Sequence, residues 1–272
     1  MNEAPIGMFD SGIGGLTVMK AVMRRLPRES IYYFGDNARG PYGPRDLPEI
    51  RSFALEIASF LEAMGVKLIV IACNSATSAG LLEVQRRLRI PVLGVVEPGA
   101  RGAVQATGNR RIGVIGTVAT IRSRAYMRAI HALDAGARVH SRACPTLVDF
   151  VERGETQGPG IEEEVRRYLS PLIKRGVDTL VLGCTHYPLI REVIGKVMGE
   201  KVKLISSDEE VAREVEENLK RRGYLRSSEQ APLYRFMCSG SVDQAVKLGR
   251  LFLGPEVERV ERVELPLREV GR

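Results

Sequence analysis

Two cysteines carry the most distinctive chemistry this sequence offers. Cys73 closes the segment Gly65-Val66-Lys67-Leu68-Ile69-Val70-Ile71-Ala72-Cys73. Cys184 closes Gly176-Val177-Asp178-Thr179-Leu180-Val181-Leu182-Gly183-Cys184. At an offset of 111 residues the two segments share Gly, Val, Val and Cys in place. Asn74 and Ser75 follow the first cysteine, Thr185 and His186 the second. A thiol holds a single proton, and its pKa of about 8.5 falls at a helix N-terminus. Two thiols approaching a bound molecule from opposite sides could therefore invert a carbon stereocentre, one removing a proton from one face and the other delivering one to the opposite face. Taken singly, each cysteine also fits a small buried hydrophobe at the end of a core strand. Matched placement favours acid/base work, with both thiolates expected to form near neutral pH.

The surrounding pattern says how such residues would be positioned. Strands are expected at 6–10, 31–35, 66–72 and 91–95, alternating with helices at 16–26, 47–64 and 77–88. The order then repeats, with strands at 111–115, 137–141, 177–182 and 202–205 and helices at 123–133, 161–175 and 189–198. A helix at 208–222, a strand at 234–238, a helix at 241–253 and a strand near 257–263 follow. Ile6-Gly7 with the Asp10-Ser11 turn also matches Ile112-Gly113 with the Gly116-Thr117 turn. Two matches in the same order argue for a duplicated unit. The expected fold is α/β, with two similar, mostly parallel-sheet domains related by internal duplication and facing each other across a cleft. The boundary is expected at the Glu97-Pro98-Gly99 break. The domains are then 1–98 plus a returning segment 208–272, and 99–207. A cleft that opens and closes near Pro98-Gly99 would exclude water during the reaction.

Ligands of open α/β sheets sit beyond the carboxyl ends of the strands. Asp10-Ser11-Gly12, Asp36-Asn37, Cys73-Asn74-Ser75, Thr117 and Cys184-Thr185-His186 all follow strands and would line one cleft. Zinc is the rival use of Cys73, Cys184 and His186, but their spacing matches no common zinc motif. Asp10-Ser11-Gly12-Ile13-Gly14-Gly15 lacks the Lys and the spacing of a P-loop and is not GxGxxG. Its glycines suggest a tight turn whose N–H groups face an anion, a carboxylate rather than a nucleotide. Cys144 and Cys238 are expected to be structural.

Composition narrows the classes. The chain has 272 residues, 44% hydrophobic and 27% charged, as in an ordinary globular protein. No run approaches 18 apolar residues, which excludes a membrane-spanning helix. The N-terminus shows no secretion signal, and four dispersed cysteines suit a reducing cytoplasm. Residues 101–142 hold eight Arg, no Lys and one Asp out of a whole-chain charge of +7. No nucleic-acid motif accompanies them, so a solvated Arg-rich helical face is preferred to a nucleic-acid site.

Several segments together resemble the glutamate racemases of the aspartate/glutamate racemase superfamily. They are Phe9-Asp10-Ser11-Gly12-Ile13-Gly14-Gly15-Leu16-Thr17-Val18, Gly35-Asp36-Asn37-Ala38-Arg39-Gly40-Pro41-Tyr42-Gly43 and Ile71-Ala72-Cys73-Asn74-Ser75-Ala76. Then come Val96-Glu97-Pro98-Gly99-Ala100, Cys144-Pro145 with Val151-Glu152-Arg153-Gly154, and Gly183-Cys184-Thr185-His186-Tyr187-Pro188-Leu189. They run in order over nearly the whole chain. Ser75 stands where the family often has Thr, and Asp149 where many relatives have Pro.

The resemblance implies a cofactor-independent racemase supplying D-glutamate for peptidoglycan. Cys73 would take the proton from D-glutamate and Cys184 from L-glutamate. Asp10 would assist Cys73, and Glu152 and His186 would assist Cys184. Asp10, Ser11, Tyr42, Gly43, Asn74, Ser75, Thr185 and His186 would hold the substrate, with a contact from Thr117. Neither metal, pyridoxal phosphate nor nucleotide would be needed. A homodimer is compatible with the sequence. A sister racemase for aspartate or a hydantoin stays open, as does an added binding role toward DNA gyrase through the 101–142 arginines.

Overall fold

The computed structural model describes residues 2–257 and 259–265; the end of the expected returning segment, 266–272, lies outside them. The first part of the chain forms β1 (Ile6–Asp10), α1 (Leu16–Arg25), β2 (Ile31–Gly35), α2 (Leu47–Ala63), β3 (Leu68–Ile71), α3 (Asn74–Arg87), β4 (Val92–Gly94) and α4 (Val96–Ala106). Next come β5 (Arg111–Gly116), α5 (Val118–Ser123), α6 (Ala125–Leu133), β6 (Arg138–Ala143), α7 (Thr146–Glu152) and α8 (Pro159–Lys174). Then β7 (Thr179–Gly183) leads through a 3-10 turn (Tyr187–Ile190) to α9 (Arg191–Met198) and β8 (Lys203–Ser206). The chain continues with α10 (Ser207–Arg222), β9 (Tyr234–Cys238), α11 (Val242–Phe252) and β10 (Val260–Arg262).

The strands form two sheets, ordered β10-β9-β2-β1-β3-β4 and β6-β5-β7-β8, with every pairing parallel. The second order repeats the β2-β1-β3-β4 part of the first. The strand before Cys73 therefore matches the strand before Cys184, as the offset implies. The shared glycines of that offset have a backbone cause. Gly65 and Gly176 follow α2 and α8 with φ of 77° and 66°, the left-handed turn that ends a helix without a Cβ clash.

Parallel sheets need cover on both faces, and alternation along the strands provides it. Ile6 and Met8 of β1 join a cluster with α1 and α10, while Phe9 joins α2 and α3 on the other face. In the second sheet Ile112 and Val114 pack with α4 and α6, and Ile115 with α8 and α9. The carboxyl ends of the central strands are thus held by two apolar layers in each half.

The structure departs from the sequence expectation in four places. The Pro98-Gly99 break is instead the first turn of α4, where a proline costs no hydrogen bond. The short α7 was not expected at all. The helix expected at 123–133 is α6, but a further helix not expected, α5, precedes it and is parted from it at Arg124 with φ of 56°. The 101–142 arginines form no single helical face. They are spread over α4, β5, α5, α6 and β6 and their links, and Arg101, Arg110 and Arg122 pair with Glu214, Asp134 and Asp46. Among the described residues no helix is long and apolar enough to cross a membrane.

One buried ion pair fixes the edge of the first sheet away from the strand carboxyl ends. Lys67 Nζ lies 2.6 Å from Glu29 Oε2, with side chains 0% and 2% exposed. The same ammonium donates to the carbonyls of Asn2 and Tyr224. It therefore ties the N-terminus, the start of β2, the approach to β3 and the segment after α10. Removing one partner would leave the other charge buried and alone. Glu29→Ala should cost about 3–5 kcal/mol of stability, read as a lowered denaturant midpoint. A change within about 0.5 kcal/mol, as at an ordinary surface site, would show the pair to be dispensable.

Candidate active site

The carboxyl ends of the central strands of both sheets face one cavity of about 250 Å³. That is below the roughly 300–1,000 Å³ of pockets for drug-sized ligands, so it suits a small molecule. Ser11, Tyr42, Gly43, Cys73, Asn74, Ser75, Thr117, Cys184, Thr185 and His186 line it, all of them sequence candidates. Asp10 and Glu152 do not. Asp10 is fully buried behind Cys73, and Glu152 stands behind His186.

On one side, β3 delivers Cys73 as the N-cap of α3, its Sγ accepting from the Ala76 N–H at 3.4 Å. Asp10, the last residue of β1, accepts from the Gly15 N–H through Oδ2 at 3.1 Å, and its Oδ1 has no hydrogen-bond partner among the described residues. The glycine loop thus caps Asp10, and this N–H does not face an external anion as its composition suggested. Burial raises the Asp10 carboxyl, against the charge of His186 and the bond from Gly15. Burial, then the Asp10 carboxylate, also push the Cys73 thiol well above its ordinary range. The helix start is present, but desolvation outweighs it. Cys73 is a thiol at neutral pH, contrary to the expectation of a ready thiolate.

On the other side, β7 ends at Gly183 and delivers Cys184. A 3-10 turn follows and α9 begins only at Arg191, so this cysteine does not cap an α-helix. Its neighbour does the electrostatic work. His186 Nδ1 lies 3.9 Å from Cys184 Sγ and 3.4 Å from Thr185 Oγ1, while Nε2 lies 3.1 Å from Glu152 Oε1. Burial opposes the imidazolium, but the bonds to Cys184 and Glu152 and the Asp10 charge prevail, and the His186 pKa is pushed up to about 10. A positive charge therefore stands beside Cys184 at neutral pH. No three His, Cys, Asp or Glu side chains cluster as metal ligands among the described residues.

Comparison with known proteins decides the family. The model of the Asp/Glu/hydantoin racemases matches residues 6–215. The chain belongs to that family. It is 48% identical over 290 aligned residues to a glutamate racemase of Beutenbergia cavernae, covering 98% of this chain and 99% of the other. A glutamate racemase structure from Bacillus anthracis superposes with a TM-score of 0.94 at 45% identity, over 98% of this chain and 100% of that one. A glutamate racemase of Francisella tularensis in complex with D-glutamate gives a TM-score of 0.92 at 37% identity, over 97% and 99%. The chain is accordingly an amino-acid racemase.

For such a racemase the two halves must meet around the ligand, and polar bonds join them. Ser75 Oγ and Thr117 Oγ1 lie 2.8 Å apart, and the Ala119 N–H donates to Gly43 O at 2.9 Å. Thr17 Oγ1 donates to Thr185 O at 3.3 Å. Asp36, expected at the cleft, instead sits fully buried outside the cavity lining, bonded to Tyr42, Arg39 and Ser239. It fixes the loop whose Tyr42 and Gly43 wall the cavity, and Asn37 braces that loop against Gly240 and Ser241. Asp149, where relatives often carry Pro, is an exposed residue lining the cavity. Two residues escaped the sequence reading. Tyr126 bonds Asn74, and Phe252 packs edge-on against His186 at 5.3 Å. Each comes from a helix far along the chain, and an aromatic on an apolar helical stripe carries no mark of that contact.

The raised His186 pKa links the site to stability. A group protonated more readily when folded stabilises the fold fully below its unfolded pKa and loses that contribution as pH passes its folded pKa. Relative to a His186→Asn variant, the wild-type chain should hold its added stability below about pH 6.5 and lose it as pH rises to about 10. Denaturant midpoints of both proteins across that range measure the difference, which should narrow with rising pH. A difference that widened instead would contradict the imidazolium.

Proposed function

We propose that this chain interconverts L- and D-glutamate by two-base proton transfer between Cys73 and Cys184, without a cofactor, in the cytoplasm, supplying D-glutamate for peptidoglycan. One observation carries the reading: two cysteines from matched strand ends line a single small cavity, each backed by its own proton-holding partner. Full-length likeness to glutamate racemases favours glutamate over aspartate or a hydantoin. The gyrase-binding reading rests on the composition of residues 101–142 alone.

In the L to D direction, Cys184 Sγ takes the α-proton of L-glutamate beside the His186 imidazolium, and the Cys73 thiol returns its own proton to the opposite face. The turnover ends with a thiol at Cys184 and a thiolate at Cys73. Asp10, whose carboxyl burial raises, can exchange a proton with Cys73, and the Glu152-bound His186 with Cys184. The α-proton is very weakly acidic, so the carbanion-like state needs fixed donors and exclusion of water. Ser11, Asn74, Ser75, Thr117 and Thr185 supply hydroxyl and amide groups, and the Tyr42-Gly43 loop walls the cavity. Residues 1–98 with 208–272, and 99–207, are the two lobes in this reading, each bringing one thiol.

The test is exchange in D₂O with no added cofactor. Wild-type protein should incorporate deuterium from either enantiomer and racemise both. Cys73→Ala keeps Cys184 and should slowly exchange only L-glutamate. Cys184→Ala should exchange only D-glutamate. Racemisation should fall by roughly 10²–10⁴-fold in each, the usual share of a general acid or base, or further, since residues acting as a unit are not additive. A single variant racemising near the wild-type rate would overturn the two-thiol mechanism. If both exchanged the same enantiomer, the assignment of faces would fail. Activity abolished by chelation and restored by a metal would overturn cofactor independence.

A further inference from the structure

Tyr126 of α6 lies under the cavity and outside its lining, 2% exposed. Its hydroxyl bonds Asn74 Oδ1 at 2.7 Å, and Asn74 directly follows Cys73. Its ring edge meets Gly183, which directly precedes Cys184. A Cβ built on Gly183 would stand 3.1 Å from Tyr126 Cε2, and one on Gly99 would stand 3.2 Å from Cε1 and from the hydroxyl. The ring therefore fills a tight slot between two glycines, where a side chain on either would press against it. One residue of the second sheet's helical layer thus touches the neighbours of both thiols.

The direction of the hydroxyl bond matters for what Asn74 can offer. An amide oxygen only accepts, so the phenol gives its own proton to Asn74 Oδ1. Asn74 Oδ1 is then occupied, and the amide's two N–H donors are left to face the cavity that Asn74 lines. Without that bond the amide could turn and present an acceptor to an anionic ligand. Asn74 is 4% exposed, so an unpaired Oδ1 would also be buried without a partner.

We infer that Tyr126 is a positioning residue, acting through Asn74 to hold its amide donors toward the substrate while its ring spaces the strand ends that carry Cys73 and Cys184. The inference rests on the racemase reading of the same cavity. It places a second-lobe residue in control of a first-lobe contact, so Asn74 is correctly set only when the two halves are docked.

A double-variant cycle on the full chain tests it, using Tyr126→Phe, Asn74→Ala and the pair. Phe keeps the ring and the slot, so the fold and the thiol spacing should survive. Tyr126→Phe should raise KM for both enantiomers by about tenfold, the scale of one lost buried hydrogen bond, with a much smaller change in kcat. In the Asn74→Ala background the same substitution should change KM by less than about twofold, because the coupled partner is already gone. A merely structural tyrosine would lower the melting temperature in both backgrounds without that loss of effect on KM. Unchanged KM in Tyr126→Phe, or an equal rise in both backgrounds, would overturn the inference. If Tyr126→Phe proves too unstable to assay, Asn74→Asp, which keeps an oxygen to accept from Tyr126 but removes the amide donors, replaces it: KM for both enantiomers should rise by about tenfold, and an unchanged KM would overturn the inference. Absence of racemisation in the wild-type chain would instead sink the underlying reading.

Discussion

The 2.8 Å contact between Ser75 Oγ and Thr117 Oγ1 joins residues just beyond β3 and β5, strands of different sheets. Around it lie the Gly43–Ala119 backbone bond, the Asn74–Tyr126 bond and the Thr17–Thr185 bond. A small ligand can be enclosed only if two rigid sheets approach edge to edge, and these short polar contacts set that distance. Everything chemical in the site depends on it. With the halves parted, each thiol would sit alone at a wet sheet edge. With them docked, the thiols share one small cavity, and the buried carboxyl and imidazole behind them acquire their shifted proton affinities.

Those affinities show that duplication has not produced symmetric halves. The two sheets share a strand order, and the cysteines hold matching positions in it. Yet Cys73 caps a helix beside a buried carboxyl, while Cys184 enters a 3-10 turn beside a charged imidazole paired with Glu152. The backbone was repeated and the proton-holding partners diverged. Asp10 reaches Cys73 from within the first sheet. His186 comes from the turn after β7, and Glu152 from α7, for which no equivalent lies between β2 and α2.

The fold was legible because its determinants are local. Apolar runs of the right length gave the strands, and the Gly-Val…Val-Cys match gave the duplication and the paired thiols. What failed to show was set by tertiary context. The start of α4 hid behind Pro98-Gly99, since a proline in the first turn of a helix looks like a break. The Arg124 junction carries no glycine to mark its left-handed turn. Asp36 looked like a ligand from its place after β2, but its partners Arg39, Tyr42 and Ser239 are fixed by the loop and by β9. The Cys73 proton affinity was misread for the same reason. A helix start can be guessed from sequence, whereas the burial that outweighs it, and the Asp10 charge, belong to the assembled site.

The asymmetry of the thiols has a thermodynamic limit. L- and D-glutamate have equal free energy in water, so an enzyme that interconverts them must show the same kcat/KM in both directions at any pH. A site that holds Cys73 as a thiol and sets a positive charge beside Cys184 cannot favour one product at equilibrium. Such differences can appear only as compensating changes in kcat and KM, through how tightly each enantiomer is held before its proton moves. In the proposed mechanism the carboxyl behind Cys73 and the imidazole behind Cys184 therefore serve a common transition-state region from two sides. Under that proposal their different chemistry follows from two unlike halves solving one problem, that of returning a proton to the face from which it was not taken.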